Sequence, residues 1–316
     1  MPKKRKMKIN SIPELLDHFK DEQTCISYFE KIRWPDGVTC PHCEHDKAYK
    51  TNRGYKCANK KCYKKFSYKS GTIMENAKIS VRYWFIALYL CTSRKKGVSA
   101  LQLHRDLRIN KRTAWTLLHR TREMLKDNSF DLLKNVVQAD ESYFGGKLKN
   151  KHKNKRTKNA QGRSMKDKTP VVGLYEKDGR VIAFVVPNTE GATLKKLIRK
   201  YVDKNATVVS DAYRSYKGLE KEFKHIVVKH KDKENYIVDH KFHTQNIENF
   251  WSLFKRGYMG TYHYMSPKHL QRYCDEFAAR YNTRNMTEQE RFNYFLIRLD
   301  RRMTYESLVR GHKMAA

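Results

Sequence analysis

The sequence predicts an α/β protein whose main domain follows a cysteine-rich module and a block of helices. Three observations predict it. Two close cysteine pairs fall within the first 62 residues. Apolar residues at three-and-four spacing mark helices both before and after the middle of the chain. Between them lie β-branched runs, two of which lead into an aspartate, Asp140 and Asp211. The implied divisions are a basic segment and helix at 1–33, the cysteine module at 34–70, a helical domain at 78–127, the α/β domain at 133–290 and a helical tail at 291–316.

Composition limits the function classes. A chain of 316 residues has room for two or three domains. Lys and Arg number 67 against 33 Asp and Glu, a formal net charge of +34. A single-sign field of that size disfavours the compact state by self-repulsion, so a polyanionic partner is expected. Hydrophobic residues at 39%, with 20 Tyr, 14 Phe and 4 Trp, are enough for packed cores and argue against wholesale disorder. No apolar run approaches the ~18 residues that a spanning helix needs. Met1 to Asn10 is charged and no apolar stretch follows it, so a secretory leader is not expected and the expected location is cytoplasmic. Pro2 to Lys6, PKKRK, has the form of a short nuclear import signal or a tag, although such pentamers arise easily at this lysine density.

The elements follow in order. Ile12 to Ile32 has helical spacing through Leu15, Leu16, Phe19, Cys25, Tyr28, Phe29 and Ile32. Trp34 to Gly37, WPDG, is a turn. Cys40-Pro-His-Cys43 and Cys57 to Cys62 form C-x2-C and C-x4-C pairs, with a short hairpin expected around Asn52-Arg-Gly54. Two thiolate pairs on opposed hairpins give zinc a tetrahedral shell of four sulfurs, and such a closed site is structural. His42 lies between ligands and is read as exposed or supporting, while Cys25, Cys91 and Cys274 sit in apolar helical contexts and are read as core. An odd count of 7 cysteines, 4 of them in close pairs, fits a reducing compartment and not a disulfide framework.

Val81 to Thr92 is almost wholly apolar and predicts a buried helix. Val98 to Leu107 and Lys111 to Leu125 predict two more helices about a turn at Arg108 to Asn110. Leu101, Leu107 and Ile109 supply one hydrophobic set, and Ala114, Leu117 and Leu118 the next. This is the outline of a helix-turn-helix, with Lys111, Arg112, Thr113 and Thr116 at the start of a recognition helix; the plainer reading is a helical hairpin with a solvated basic face.

Asn135 to Ala139 predicts a buried strand that delivers Asp140 to its end, followed by Tyr143, Phe144 and a Gly145-Gly146 turn. Alone, Asp140 reads as a turn-capping carboxylate. In so basic a chain it is also a candidate metal ligand facing phosphate. Residues 147–168 carry ten Lys or Arg and almost nothing apolar, so they predict a loop. Lys147, Lys149, Lys151, Lys153, Lys155 and Arg156 are its candidate phosphate contacts. Val171 to Tyr175 and Val181 to Val186 flank Asp178-Gly179 and predict a hairpin. Thr193 to Val202 is helical, and Thr207 to Ser210 is a strand followed at once by Asp211. In His243 to Gly257, the stripe Ile247, Phe250, Trp251 and Phe254 marks a helix. Glu248 and Lys255, almost two turns apart, share the opposite face. Residues 267–299 are helical with many Arg and aromatics.

These residues resemble bacterial insertion-sequence transposases with an Asp-Asp-Glu catalytic triad on a ribonuclease H-like fold, in particular the branch with an N-terminal zinc ribbon. The resemblance is carried by WPDG-x2-CPHC with FSYKSGTI, by DESYFGGK at Asp140 to Lys147, by SDAYRSY at Ser210 to Tyr216, and by HTQNIENFWSLFKRG with YHYMSPKHLQRYCDEFAARYNTR. It implies a ribonuclease H-like mixed sheet, with Asp140, Asp211 and Glu248 as the triad and Lys255 as the basic residue two turns after the third acid. Some relatives carry Asn or His in that third place, whereas this chain keeps Glu248 between Asn246 and Asn249. It further implies two magnesium or manganese ions per active site, double-stranded DNA as partner, and a homodimer or higher oligomer on DNA. Water would free a 3′ hydroxyl at the element end, and that hydroxyl would attack target DNA. Arg256, beside Lys255, is a further candidate DNA contact. Glu141 falls on the other strand face and is read as an ion-pairing or packing residue. Two rival readings stay open here: a nuclease of the same fold that does not join strands, and a DNA-binding regulator with an inert third domain.

Overall fold

The computed structural model describes residues 9–127, 131–146, 152–155, 167–229, 238, 242–299 and 302–310. Pro2 to Lys6, Lys147, Lys149, Lys151 and Arg156 lie outside them. The chain forms two units, one of residues 1–125 with 285–310 and one centred on residues 126–284.

In the first unit the stretch expected as one helix is two, α1 (Ile12–His18) and α2 (Glu22–Arg33). The break lies at Asp21, whose carboxylate accepts the Thr24 backbone N–H at 2.7 Å and so starts α2 afresh. The cysteine module holds an antiparallel sheet of β1 (Ala48–Thr51), β2 (Gly54–Cys57) and β3 (Lys65–Phe66). Gly54 closes the hairpin at φ +129°, where a Cβ would meet the Phe66 carbonyl oxygen at 2.5 Å. Trp34, Tyr55 and Phe66 pack together as its small aromatic core.

The helical block is α3 (Val81–Ser93), α4 (Ala100–Leu107) and α5 (Lys111–Met124). The α4–α5 turn passes through Arg108 in the left-handed region, and the Asn110 side chain caps α5 by accepting the Arg112 N–H at 2.8 Å. Leu101 was expected in the hydrophobic set but is 51% exposed; Leu103, on the other side of α4, is the buried residue. After residue 284 the chain returns to this unit through α9 (Glu288–Leu296) and α10 (Tyr305–Arg310). Phe292 meets Phe85 of α3 edge-on at 5.4 Å, the Tyr28 hydroxyl donates to Asn293 at 2.6 Å, and Ile73 N–H donates to the Leu299 carbonyl at 3.0 Å. Residues drawn in sequence as a separate tail thus carry core side chains of the N-terminal unit.

The second unit is built on a five-stranded mixed sheet of order β6-β5-β4-β7-β8, formed by β4 (Val136–Phe144), β5 (Thr169–Glu176), β6 (Val181–Val185), β7 (Thr207–Asp211) and β8 (Lys224–Val228). β4, β5 and β6 are antiparallel, while β4, β7 and β8 run parallel. This is the ribonuclease H-like mixed sheet. β-Branched residues fill it because they suit a pleated, covered surface. Helix α6 (Gly191–Tyr201) makes the crossover and covers one face through Leu194, Leu197 and Ile198, against Val137, Ala139, Val172 and Leu174. Helices α7 (Gln245–Gly257) and α8 (Leu270–Asn282) cover the other, where Ile247, Phe250, Trp251 and Phe254 meet Phe144, Val171 and Tyr175. On α8, Gln271 and Asn282 hydrogen-bond backbone groups of edge strand β6, which blunts that edge.

One expectation needs correcting. β4 does not end at Ala139 but runs to Phe144, paired with β5 as far as Thr169. Asp140 is therefore inside the strand. What ends beside it is the parallel ladder to β7, whose last pair is Ala139 with Ser210.

Candidate catalytic site and cysteine cluster

Helix α7 carries its functional face on a strict helical repeat. Glu248, Ser252 and Lys255, with Met259 in the π-helical turn that follows α7, line a cleft of about 510 Å³ together with Asp140, Glu141, Trp251 and Arg256. Asp140 and Glu248 thus face one cavity from a strand and a helix. Period-two alternation puts Gln138, Asp140 and Ser142 on the α7 side of β4. Glu141 is turned to the other face, where the buried Tyr216 hydroxyl donates to it, and it also borders the cleft.

Asp211 is the last residue of β7 and does not line that cleft, but its charge acts on Asp140. Burial first, and then the carboxylates of Asp211 and Glu248, push the Asp140 carboxyl up to about 6, against the lowering by the Glu141 backbone N–H and by Lys255. Like charges that raise one another in this way are a repulsion that a cation relieves. Asp211 is itself fixed by an Asx turn, accepting the Tyr213 N–H at 3.0 Å. The Tyr213 hydroxyl continues to Thr189 at 3.2 Å and from there to the Tyr143 hydroxyl at 3.1 Å, which ties the loop after β7 to β4.

Three residues that the sequence reading passed over stand next to the carboxylates or their supports. Thr244 donates its hydroxyl to Glu248 Oε1 at 2.7 Å. Gln138 Oε1 accepts the Ile247 N–H at 3.1 Å, so a sheet side chain serves one of the unpaired donors of the α7 N-terminus. Gly173, on β5, is the cross-strand partner of Asp140. A signal existed for Gln138: it lies two residues before Asp140 and so shares its face.

Cys40, Cys43, Cys57 and Cys62 bring their sulfurs within 4.8 Å of one another, the only such group of potential ligands among the described residues. The Cys43–Cys57 and Cys40–Cys62 sulfurs are 3.5 and 3.9 Å apart. A tetrahedral zinc with ~2.3 Å bonds spaces its sulfurs at roughly 3.8 Å, so the cluster fits a structural zinc. The two pairs share one device: the residue after the second cysteine of each, Glu44 or Tyr63, takes a positive φ and turns the chain back. His42 is exposed, and Cys25, Cys91 and Cys274 are buried.

On α5, Lys111, Arg112 and Thr113 are exposed and Thr116 is half-buried. Arg112, Thr113 and Thr116 border a cleft of about 300 Å³ with Lys78, Trp84 and Arg120; Lys111 does not. Arg112 is not free: its guanidinium donates to the Tyr305 hydroxyl at 2.7 Å and lies 5.3 Å from that ring. Of the basic segment, Lys153 is exposed at the start of a single 3-10 turn, Lys153–Lys155, and the Lys155 side chain is outside the described set. Lys255 and Arg256 are both exposed in the last turn of α7.

Among the described residues no helix is long and apolar enough to cross a membrane. Residues 132–282 match the ISXO2-like transposase domain, and residues 20–65 match a transposase zinc-ribbon domain. An uncharacterized protein in transposable element ISH50 of Halobacterium salinarum is 26% identical over 278 residues, which are 83% of this chain and 91% of that protein. An uncharacterized transposase-like protein of Haemophilus influenzae is 30% identical over 111 residues, 35% of this chain and 87% of that protein. The two domain matches meet the two structural centres, the cysteine cluster and the carboxylate-bearing sheet, and the chain belongs to the insertion-sequence transposases that join a zinc ribbon to an ISXO2-like transposase domain.

Proposed function

We propose that this chain cuts DNA at the ends of its mobile element by divalent-metal-dependent hydrolysis and joins the freed 3′ hydroxyls to target DNA. The observation that carries this reading is the Asp140 carboxyl, half-buried at the cleft, raised by desolvation and acted on together by Asp211, Glu248 and Lys255. Carboxylates suit magnesium or manganese, which are hard cations, and such ions when bound would activate the attacking oxygen and steady the leaving one. In this scheme Asp140, Asp211 and Glu248 would hold the ions, Asp140 serving both and Asp211 and Glu248 one each. Lys255, exposed beside Glu248 in the cleft, offers its ammonium to a phosphate next to the scissile bond. The reading uses no side chain as a covalent nucleophile. In the same reading the α4–α5 pair acts as a helix-turn-helix on duplex DNA, the basic segment 147–168 grips phosphates, the ribbon holds one zinc, and the chain works on DNA as a homodimer or larger assembly.

The test is a strand-transfer assay. Purified protein, Mg2+ or Mn2+, labelled duplex ending in the element terminus and a target plasmid should give nicked ends and joined products. Cleavage without joining would assign the chain to nuclease chemistry, and binding without either to a regulator.

A further inference from the structure

We propose that Gly173 is a positioning residue: the absent side chain on β5 lets α7 settle onto the sheet at the one stand-off that brings Glu248 to Asp140. Gly173 pairs with Asp140 in the β4–β5 register, and residues directly opposite present their side chains on the same face, ~5 Å apart. On that face lies α7. A Cβ at Gly173 would meet Trp251 Cζ2 at 2.6 Å, Ile247 Cδ1 at 2.8 Å and Trp251 Cη2 at 3.1 Å. Gly173 is not among the glycines with positive φ, so the backbone does not demand glycine there. The demand comes from packing alone.

Neither obstructing side chain can swing away, since Ile247 is 0% and Trp251 3% exposed within the core under α7. These two residues flank Glu248 on its helix, at one position before and three after. Carbon contacts relax near 3.5–4.0 Å, so a methyl at 173 pushes α7 outward by on the order of 1 Å. Metal–ligand distances tolerate only about 0.2 Å. Gln138 resists sliding along the strand through its bond to Ile247, and Gly173 sets the height above it. The inference rests on the reading that Asp140, Asp211 and Glu248 hold the divalent ions.

The experiment is Mn2+ binding by the zinc-loaded full chain, read from the electron paramagnetic resonance signal of free Mn2+, with thermal unfolding alongside. Four proteins are compared: the unaltered chain, Asp140→Asn, Gly173→Ala, and Gly173→Ala with Ile247→Val and Trp251→Phe, which removes the three obstructing atoms. Asp140→Asn should lose binding. Gly173→Ala should bind about 10- to 100-fold more weakly, as altered supports of a ligand shell do. The relieved variant should recover most of that loss, which a merely destabilised core would not do. Unchanged affinity in Gly173→Ala, or no recovery in the relieved variant, overturns the positioning role while leaving the metal reading intact. Unchanged affinity in Asp140→Asn overturns both. If Gly173→Ala does not fold, the relieved variant decides alone: folded with near-normal affinity supports the role, and unfolded or weak-binding overturns it.

Discussion

Gln138 and Ile247 are joined by a 3.1 Å hydrogen bond from the Ile247 backbone N–H to the Gln138 side-chain oxygen. Gln138 lies two residues before Asp140 on its strand, and Ile247 directly precedes Glu248 on its helix. The bond therefore links the supports of two carboxylates that lie far apart in the chain. Gln138 is 1% exposed, so replacing it with Leu leaves a buried helix-terminal donor without its acceptor. Such a loss costs about 1–3 kcal/mol. Urea unfolding of Gln138→Leu should show a decrease of that size, and an unchanged midpoint would mean that water or another group takes over the donor.

Asp140→Asn, Asp211→Asn and Glu248→Gln should each abolish cleavage and joining while element-end binding stays near normal. Each change removes negative charge at the site and leaves the basic surfaces as they were. Gel-shift and strand-transfer assays on the same preparations separate the two effects. Glu141→Gln is the contrasting case: its amide oxygen still accepts from Tyr216, and activity should persist. Near-normal cleavage by any of the first three variants would remove that residue from the site.

Cys40→Ser or Cys57→Ser should release one zinc per chain and unfold residues 34–66. Apart from the metal, so small a sheet is held by little more than a cluster of Trp34, Val38, Ala48, Tyr55 and Phe66. Zinc ligation supplies much of the folding free energy of such modules. Metal analysis of the purified wild type, together with proteolysis of the variants, checks both halves; a wild-type protein without zinc would refute this assignment.

Phe292→Ala should destabilise the first unit by about 3–5 kcal/mol, the usual cost of emptying a large aromatic site. Phe292 is 0% exposed and packs against Phe85 and Phe19. A thermal shift worth less than ~1 kcal/mol would mean that residues 285–310 are dispensable to that unit.

The basic segment and the α5 N-terminus should divide DNA binding between them. Replacing five of the ten basic residues in 147–168 with Gln should lower the slope of log affinity against log salt by up to roughly 4, at about 0.9 per lost duplex contact. Preference for the element end should change little. Replacing Arg112, Thr113 and Thr116 should instead erode that preference, since direct base contacts discriminate by about 1–3 kcal/mol each. Titrations of end and random duplexes at several salt concentrations read both quantities. Loss of preference in the loop variant with loss of affinity alone in the helix variant would reverse the assignment.

What this sequence determines by itself is local. The cysteine pairs close over a few residues, so their spacing alone foretold the sulfur cluster. The stripe Ile247, Phe250, Trp251 and Phe254 repeats within one helix, so its buried face could be read directly; Glu248 and Lys255, expected on the opposite side, instead flank the stripe and share a cleft with Trp251. The β-branched runs marked β5, β6 and β7 for the same reason: side-chain period and turn residues act between near neighbours. Where the chain meets itself over long separations, only the tertiary structure decided. The extension of β4 beyond Asp140 depends on its pairing with β5, some thirty residues onward. Arg112 is engaged by Tyr305, and Phe85 by Phe292, across most of the chain. The cross-strand place of Gly173 opposite Asp140, and the room it leaves for Trp251 and Ile247, required sheet register and helix docking together. Periodicity tells which face a residue occupies; which residue stands opposite is set by register and packing, and those are properties of the folded chain.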